Sequence, residues 1–500
     1  MKPNVLFIIM DDQRADTLGL INNPLIQTPN LDRIAKGGTV FTQTFVTVPI
    51  CAPGRAEVLT GCNSFTNHVL WFGIPINPEL TLMPEAFREA GYHTGFVGKW
   101  HNDGHPRDKG FERTRRCFGK DLVAPQEGHI FTFEENAKRV RGHSTELFTD
   151  ALLEELAEAP ADKPWFMYVG YHSPHDPFEC PEPYQSMYDT PDFPLPDNFM
   201  PEHPFDNGDM TIRDELLMPF PRSQEAVRQY RARYYGMITH HDHHIGRILD
   251  RLEEQGVLEN TIVVFTGDHG LAVGSHGLLG KENMYDHSTR IPLMMMGPGI
   301  AKGQTVPALS CNTDIFPTLC TLAGIPVPET VRDGKPLISS EDGGAVTKGR
   351  DSVFSAFRST LHPGLYAFLG SDPLDGEHVI RQGGKRLHDT QRMVRTETHK
   401  LCYYPLISKF QLFDLQEDPH ELHDLLQVWR MIGREKPWPF QPLNAAETVL
   451  LVAEELREKM LRHMEANGDP VRKTLQKVNV KDAVVAAYGT ASQCAVSPVQ

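Results

Sequence analysis

Four short strand-like runs of this 500-residue sequence each end in side chains suited to holding or transforming an anion. Val5 to Met10 runs into Asp11 and Asp12, Thr94 to Val97 into Lys99 and His101, Trp165 to Gly170 into His172 and His175, and Thr261 to Thr266 into Asp268 and His269. Taken singly, each ending is an ordinary set of loop charges. Parallel strands, however, bring their carboxyl ends to one edge of a sheet, and ligands sit outside that edge. Asp11, Asp12 and Asp268 read either as oxygen ligands for a hard divalent cation or as helix caps and solvated charges. Without a cation, three clustered acids would repel the anion that Arg55, Lys99 and Lys281 are placed to hold. A metal would neutralise them and polarise an oxyanion. In Pro49-Ile50-Cys51-Ala52-Pro53-Gly54-Arg55, Cys51 stands just before a proline able to open a helix, whose N-terminus offers free N–H groups to an anion. Cys51 itself reads as a thiolate nucleophile or as a buried thiol.

Those endings need a framework to position them. Strand-like runs alternate with helical ones at Pro29 to Lys36, Thr145 to Ala159 and Gln224 to Gln255, and the strands are nearly continuous apolar stretches. That alternation predicts an α/β fold with a mostly parallel sheet covered by helices on both faces. Pro174 to Pro221, crowded with Pro, Asp and aromatic residues, has no clear period and predicts a long ordered insertion. After about residue 340, a connection containing Gly and Ser leads to strand candidates at Ser352 to Phe357, Met393 to Thr396 and Lys400 to Tyr404, then to a helix at Ala446 to Glu465. The resulting division is a catalytic α/β domain over 1–345, with its insertion at 174–221, and a smaller C-terminal α+β domain containing an antiparallel sheet over 346–500.

Composition narrows the class. With 40% apolar and 23% charged residues, the chain can build large cores and is neither disordered nor collagen-like. Lys and Arg number 49 against 65 Asp and Glu, a net charge of −16 that argues against a nucleic-acid partner but allows a local basic pocket. The eight cysteines, at 51, 62, 117, 180, 311, 320, 402 and 494, form no C-x-x-C pair and suit a reducing compartment. No apolar run approaches the ~20 residues of a membrane span. No Asn-x-Ser/Thr sequon occurs, and the first strand-like run starts too early for a signal peptide. The expectation is a cytoplasmic protein without a membrane partner.

The blocks CAPGR at 51–55 and LTG at 59–61 resemble the signature of the type I sulfatases, in the alkaline phosphatase superfamily, whose cysteine is oxidised to formylglycine. The resemblance runs along most of the chain through NVLFIIMDDQRAD, TPNLDRIAKGG, GYHTGFVGKWH, GYHSPHDPF, NTIVVFTGDHG and QLFDLQEDPHELHDL. His269 and the YHSPHDPF block are similar to the iduronate sulfatase branch. The resemblance implies an alkaline-phosphatase-like fold and hydrolysis of the sulfate ester of a sulfated sugar or small glycan fragment. It implies Cys51 as the formylglycine, matured by a formylglycine-generating enzyme and present as an aldehyde hydrate whose hydroxyl attacks sulfur. Asp11, Asp12, Asp268 and His269, with residue 51, would surround a divalent metal, usually calcium in this family. Arg55 would steady the hydrate, and Lys99 and Lys281 would hold the sulfate oxygens. His175 would help protonate the leaving alcohol, and His101 would take the proton of the second hydroxyl, expelling sulfate and restoring the aldehyde.

Two departures bear on this. Gly54 replaces the serine more usual in the signature, and His269 stands where many relatives carry Asn. Calcium prefers oxygen donors, so His269 could instead contact the sulfate, with Asn283 or a water completing the shell. His172, Trp71 and His105 are further candidates for contact with substrate, and Phe72, Arg107 and Arg358 fall in regions read as loops that could reach it. His240-His241-Asp242-His243-His244 looks like a zinc site but lies in a helical run, where adjacent residues spread around the axis, so it reads as structural or surface. Cys62 and Cys117 read as buried thiols. The rival functions are a phosphonate monoester or phosphodiester hydrolase of the same superfamily, and a scaffold that binds sulfated glycans without chemistry.

Overall fold

A computed structural model of the chain describes residues 2–20, 23–124, 126–339, 346, 348–359, 379–382, 385–427 and 445–488. Its strands are β1 (Asn4–Met10), β2 (Gly38–Phe45), β3 (His93–Lys99), β4 (Arg113–Phe118), β5 (Ile130–Glu135), β6 (Lys138–His143), β7 (Trp165–Gly170), β8 (Thr261–Gly267), β9 (Arg290–Met296) and β10 (Gln304–Cys311). Then follow β11 (Val353–Ser359), β12 (Val379–Gln382), β13 (Lys385–Arg395), β14 (His399–Tyr404) and β15 (Lys409–Asp414). Eight strands form the main sheet in the order β10-β2-β9-β8-β1-β7-β3-β4. The four strands expected from the sequence, β8, β1, β7 and β3, are consecutive and parallel, so their carboxyl ends share one edge. β9 runs antiparallel to both β2 and β8, which makes the sheet mostly rather than wholly parallel.

The unbroken apolar run of β1 is explained by burial on both faces. Val5, Phe7 and Ile9 pack into one core with Ala56 and Leu59 of the helix Cys51–Thr60, Phe87 of Met83–Glu89 and Phe316 of Ile315–Ala323. Leu6, Ile8 and Met10 point the other way, to Ile34 of Pro29–Gly37, Leu152 of Ser144–Glu158 and Ile245 of Gln224–Glu254. Alternation across the pleat thus demands an apolar residue at every position. The insertion is ordered through its aromatic residues: Phe178, Tyr188 and Phe193 bury themselves against Tyr234 and Tyr235 of the long helix.

β11, β13, β14 and β15 form an antiparallel sheet, with β12 paired to β13. One face packs on the helices Ala445–Ala466 and Val480–Tyr488. The other face joins Phe45, Ile50 and Tyr285 of the main body, and Ala356 N donates to Thr47 O at 2.8 Å. The segment after about residue 340 and the cysteine at 494 lie outside the described residues in whole or part. Among the described residues no helix is long and apolar enough to cross a membrane.

Candidate active site

The carboxyl ends of β1 and β8 are locked together where the acids begin. Asp268 N donates to Met10 O at 3.0 Å, and Asp12 N donates to Asp268 Oδ1 at 3.2 Å. Asp12 adopts the left-handed conformation, φ 64°, which costs energy for a residue with a Cβ and recurs where function demands it. Tyr234 of the long helix holds that turn: its hydroxyl donates to Asp12 O at 2.6 Å and accepts from Arg14 N at 3.0 Å.

Cys51 is the first residue of a helix buried on every side, which has no side-chain cap at its N-terminus. The free N–H groups and dipole of that end face the acids. The helix lies so close to β8 that a Cβ on Gly54 would stand 2.3 Å from Asp268 O. Glycine therefore fits where the serine more usual in the signature would require the backbone to shift. One turn in, buried Arg55 spans the edge, donating through Nε to Asp268 Oδ2 at 2.8 Å, through Nη1 to Lys99 O at 2.8 Å and through Nη2 to Tyr171 O at 3.4 Å. It ties β8, β3 and β7 together with one rigid fork.

Ligand atoms of Asp11, Asp12, Cys51 and His269, all buried, lie within 4.8 Å of one another. His269 donates from Nδ1 to Gly270 O at 2.9 Å, which leaves the Nε2 lone pair facing Cys51 Sγ at 3.2 Å, Asp12 Oδ1 at 3.4 Å and Asp268 Oδ1 at 3.5 Å. A lone pair aimed between carboxylate oxygens is unfavourable without a cation and is the orientation of a metal-binding imidazole. Buried Asp11 Oδ1 has no hydrogen-bond partner among the described residues, so the donor set fits a divalent cation. Asn283 Oδ1 accepts from Tyr285 N at 3.2 Å. Asp268 contributes less freely, since its carboxylate already receives Arg55 and the N–H groups of Asp12 and His269.

Two lysines answer the acids. Lys99 Nζ contacts Asp11 Oδ2; Lys281 Nζ lies 3.1 Å from Asp12 Oδ1, 3.3 Å from Asp214 Oδ2 and 3.3 Å from His175 Nε2, to which it donates. Burial opposes charge on Lys281, but Asp12 and Asp214 outweigh it and hold its pKa well above the usual value. Burial raises Asp268 to about 6, with Asp11 adding to the effect, and it raises the Cys51 thiol well above its usual value, again with Asp11 adding. An unmodified Cys51 is therefore a neutral thiol at physiological pH, which weakens the thiolate reading.

Burial also lowers the imidazoles of His172 and His175 to about 3, with Lys281 contributing at His175. His172 donates from Nδ1 to Asp11 Oδ2 at 3.3 Å and stacks on His175 at 4.8 Å. His175 donates from Nδ1 to Asp176 O at 2.7 Å, leaving Nε2 toward Lys281. His101, at φ 59°, stands at the exposed mouth with its ring stacked 5.0 Å from Phe72, which in turn meets Trp71 edge-on at 5.4 Å.

The other candidates for substrate contact have partners of their own. His105 caps a short 3₁₀ turn by accepting from Arg107 N at 3.2 Å and faces Asp121 Oδ1 at 3.7 Å. Arg107 donates to Thr114 Oγ1 at 3.0 Å. Arg358 is not in a loop: it lies in β11, buried and paired with Asp389 at 2.6 Å. In the histidine run, His240, His241 and His244 are buried and His243 is exposed. Cys62 and Cys117 are buried free thiols. The sequence reading missed Asp214, Asp176 and Arg213, which bracket Lys281 and His175 from the insertion; Arg213 Nη1 donates to Asp176 Oδ1 at 2.7 Å and Asp214 Oδ1 at 2.9 Å. It also missed Tyr234. Nothing in their local sequence marks them; only the packing of the insertion and the long helix does.

A mostly parallel sheet of this order, with acids, cations and a helix N-terminus gathered at its carboxyl edge, belongs to the alkaline-phosphatase-like class of folds. The same fold is found in a protein solved in complex with its substrate D-glucosamine-2-N,6-O-disulfate, at TM-score 0.71 and 24% identity over 94% of this chain and 99% of that one. It is found too in phosphonate monoester hydrolase of Agrobacterium radiobacter, at TM-score 0.70 and 24% identity over 92% and 96% of the two chains. Within that class the chain belongs to the sulfatase family, whose family model matches residues 3–325, and is a sulfuric ester hydrolase. It is 29% identical to an arylsulfatase of Clostridium perfringens over 85% of this chain and 90% of the relative. It is likewise 29% identical to iduronate 2-sulfatase of Mus musculus over 65% and 69%.

Proposed function

We propose that this sulfatase cleaves the sulfate ester of a sulfated sugar or small glycan fragment, using Cys51 matured to formylglycine and a divalent metal, with calcium the expected ion. The observation that carries the reading is Cys51 at the uncapped helix N-terminus, its Sγ 3.2 Å from His269 Nε2 and buried among Asp11 and Asp12 in a setting that keeps a thiol un-ionised. A nucleophile is needed there that does not depend on a thiolate. Formylglycine supplies one, because its hydrate offers two hydroxyls, one to attack sulfur and one to release it. Asp11, Asp12, Asp268 and His269 would hold the metal, which supplies charge neutralisation and polarisation of a sulfate oxygen.

The remaining work belongs to the chain's own groups. Arg55 anchors the helix and keeps Asp268 in place. Lys99 and Lys281 bind the sulfate oxygens and accommodate their charge as the ester bond breaks. His175, whose Nε2 accepts from Lys281, would help pass a proton from Lys281 to the leaving alcohol, and His101 at the mouth would accept a proton on sulfate release. Trp71, Phe72 and His172 would line the approach. The sugar class draws support from the relative that acts on iduronate 2-sulfate, as its name states, and from the fold neighbour bound to a sulfated glucosamine.

A second reading, hydrolysis of a phosphonate monoester or phosphodiester, is favoured by the fold shared with a phosphonate monoester hydrolase. Matched kinetics on an aryl sulfate, an aryl phosphonate and a panel of sulfated monosaccharides separate the two. The proposal expects the highest kcat/KM on a sulfated sugar. A far higher kcat/KM on the phosphonate would replace it with the second reading.

A further inference from the structure

The long helix Gln224–Glu254 carries a second constellation, on the face turned to the helix Ser144–Glu158. His240 and His244 are four residues apart and so share that face. Their Nε2 atoms stand 3.2 Å apart, and Glu146 Oε1, from the first turn of the facing helix, lies 3.8 Å from His240 Nε2. All three candidate ligand atoms fall within 4.8 Å of one another. Two imidazole nitrogens bound at 2.0–2.1 Å to a tetrahedral zinc ion stand about 3.3 Å apart. The histidine pair already has that separation, and a small rotation of Glu146 completes three ligands.

We propose that His240, His244 and Glu146 form a second metal site, for zinc or a similar divalent transition ion, stapling these two helices together. Two imidazoles with one carboxylate select zinc over calcium, which takes oxygen ligands. The pair therefore differs in kind from the acid-rich cluster at the sheet edge. Both histidines are buried, whereas the Glu146 side chain is 43% exposed, so an ion and a fourth ligand from solvent can reach the site from that side.

The hydrogen bonds show what an ion would replace. Arg247 Nη1 donates to His244 Nδ1 at 3.1 Å, which places the His244 proton on Nε2, shared with His240 Nε2 at 3.2 Å. His240 then carries its proton on Nδ1, a buried atom with no hydrogen-bond partner among the described residues. A metal takes the place of the one shared proton, while His244 moves its proton to Nδ1 and loses the bond from Arg247. Arg247 is thus the competitor of the ion. Its side chain is 37% exposed and held by Asp150 Oδ1 at 2.8 Å, so it can turn outward.

The test uses the full chain with calcium in excess, titrated with Zn²⁺ against a chromophoric chelator. We expect uptake of one zinc ion per chain, a rise in Tm on zinc addition, and at least about tenfold weaker binding in His244→Gln and Glu146→Gln. Arg247→Gln should bind more tightly than the parent. Glu146 and Arg247 are partly exposed, so those two variants keep the measurement informative if His244→Gln fails to fold. Zinc uptake that is absent, or equal in the parent and in Glu146→Gln, overturns the proposal.

Discussion

Replacing Glu57 with Gln should change how the stability of this protein depends on pH. Glu57 sits on the helix that begins at Cys51, and its buried carboxylate accepts from Thr47 N at 3.0 Å, Asn312 Nδ2 at 2.9 Å and Ser64 Oγ at 2.7 Å. Burial outweighs these donors and raises its pKa from 4.5 to about 7. Between those values the folded chain keeps a proton that the unfolded chain has released. Stability is therefore fully present below the unfolded pKa and falls as pH rises through the folded one. The span corresponds to about 3 kcal/mol at most. In Glu57→Gln the amide oxygen can take the Thr47 and Asn312 donors while the amide nitrogen donates to Ser64 Oγ, so the contacts persist and the pH-linked loss disappears. The assay is urea unfolding of both proteins at pH 5 and pH 8.5. Other buried acids titrate in both proteins, so the difference between them is what counts: the variant should lose less stability on going to pH 8.5, by up to about 3 kcal/mol. Equal losses would refute the assignment of a raised pKa to Glu57.

Three further perturbations probe the sheet edge. Arg55→Lys keeps the charge but loses the fork to Asp268, Lys99 and Tyr171, and should lower Tm and cut kcat by about a hundredfold; unchanged kcat would remove Arg55 from the positioning role. Lys281→Gln should lower kcat by about 10²–10³ with the fold retained by circular dichroism, and a change confined to KM would contradict its proposed action on the breaking bond. Chelation with EGTA should lower both activity and Tm, with calcium restoring them. An ion at a hundred times its Kd contributes about 2.7 kcal/mol, so an unmoved Tm would count against a metal among Asp11, Asp12 and His269.

The parts of the fold legible in the sequence are those whose physics is local. β1, β7 and β8 are apolar along most of their length because both faces are buried, and their polar endings follow directly. β2, with Gln43 and three threonines, and β10, an edge strand containing Pro307, lack that signature and were not anticipated. The helix Cys51–Thr60 is buried all round and shows no amphipathic period, so only Pro53, near its start, hinted at it. Arg358 was read as a loop residue because the apolar run stops at Phe357, yet β11 continues to Ser359 and pairs the guanidinium with Asp389. The acids and cations of the site were visible as strand endings. Asp214 and Arg213 were not, since they reach Lys281 and Asp176 only through the folding of an aperiodic insertion. In the histidine run, adjacent residues spread around the helix axis, and only the spacing of four brings His240 and His244 together.

The chemical state of residue 51 tests the central claim most directly. Mass spectrometry of the peptide containing Cys51, from protein produced with a formylglycine-generating enzyme and active on a sulfate ester, should show a loss of ~18 Da relative to the thiol form. Active protein in which Cys51 remains an unmodified thiol would contradict the account and assign the chemistry to another group.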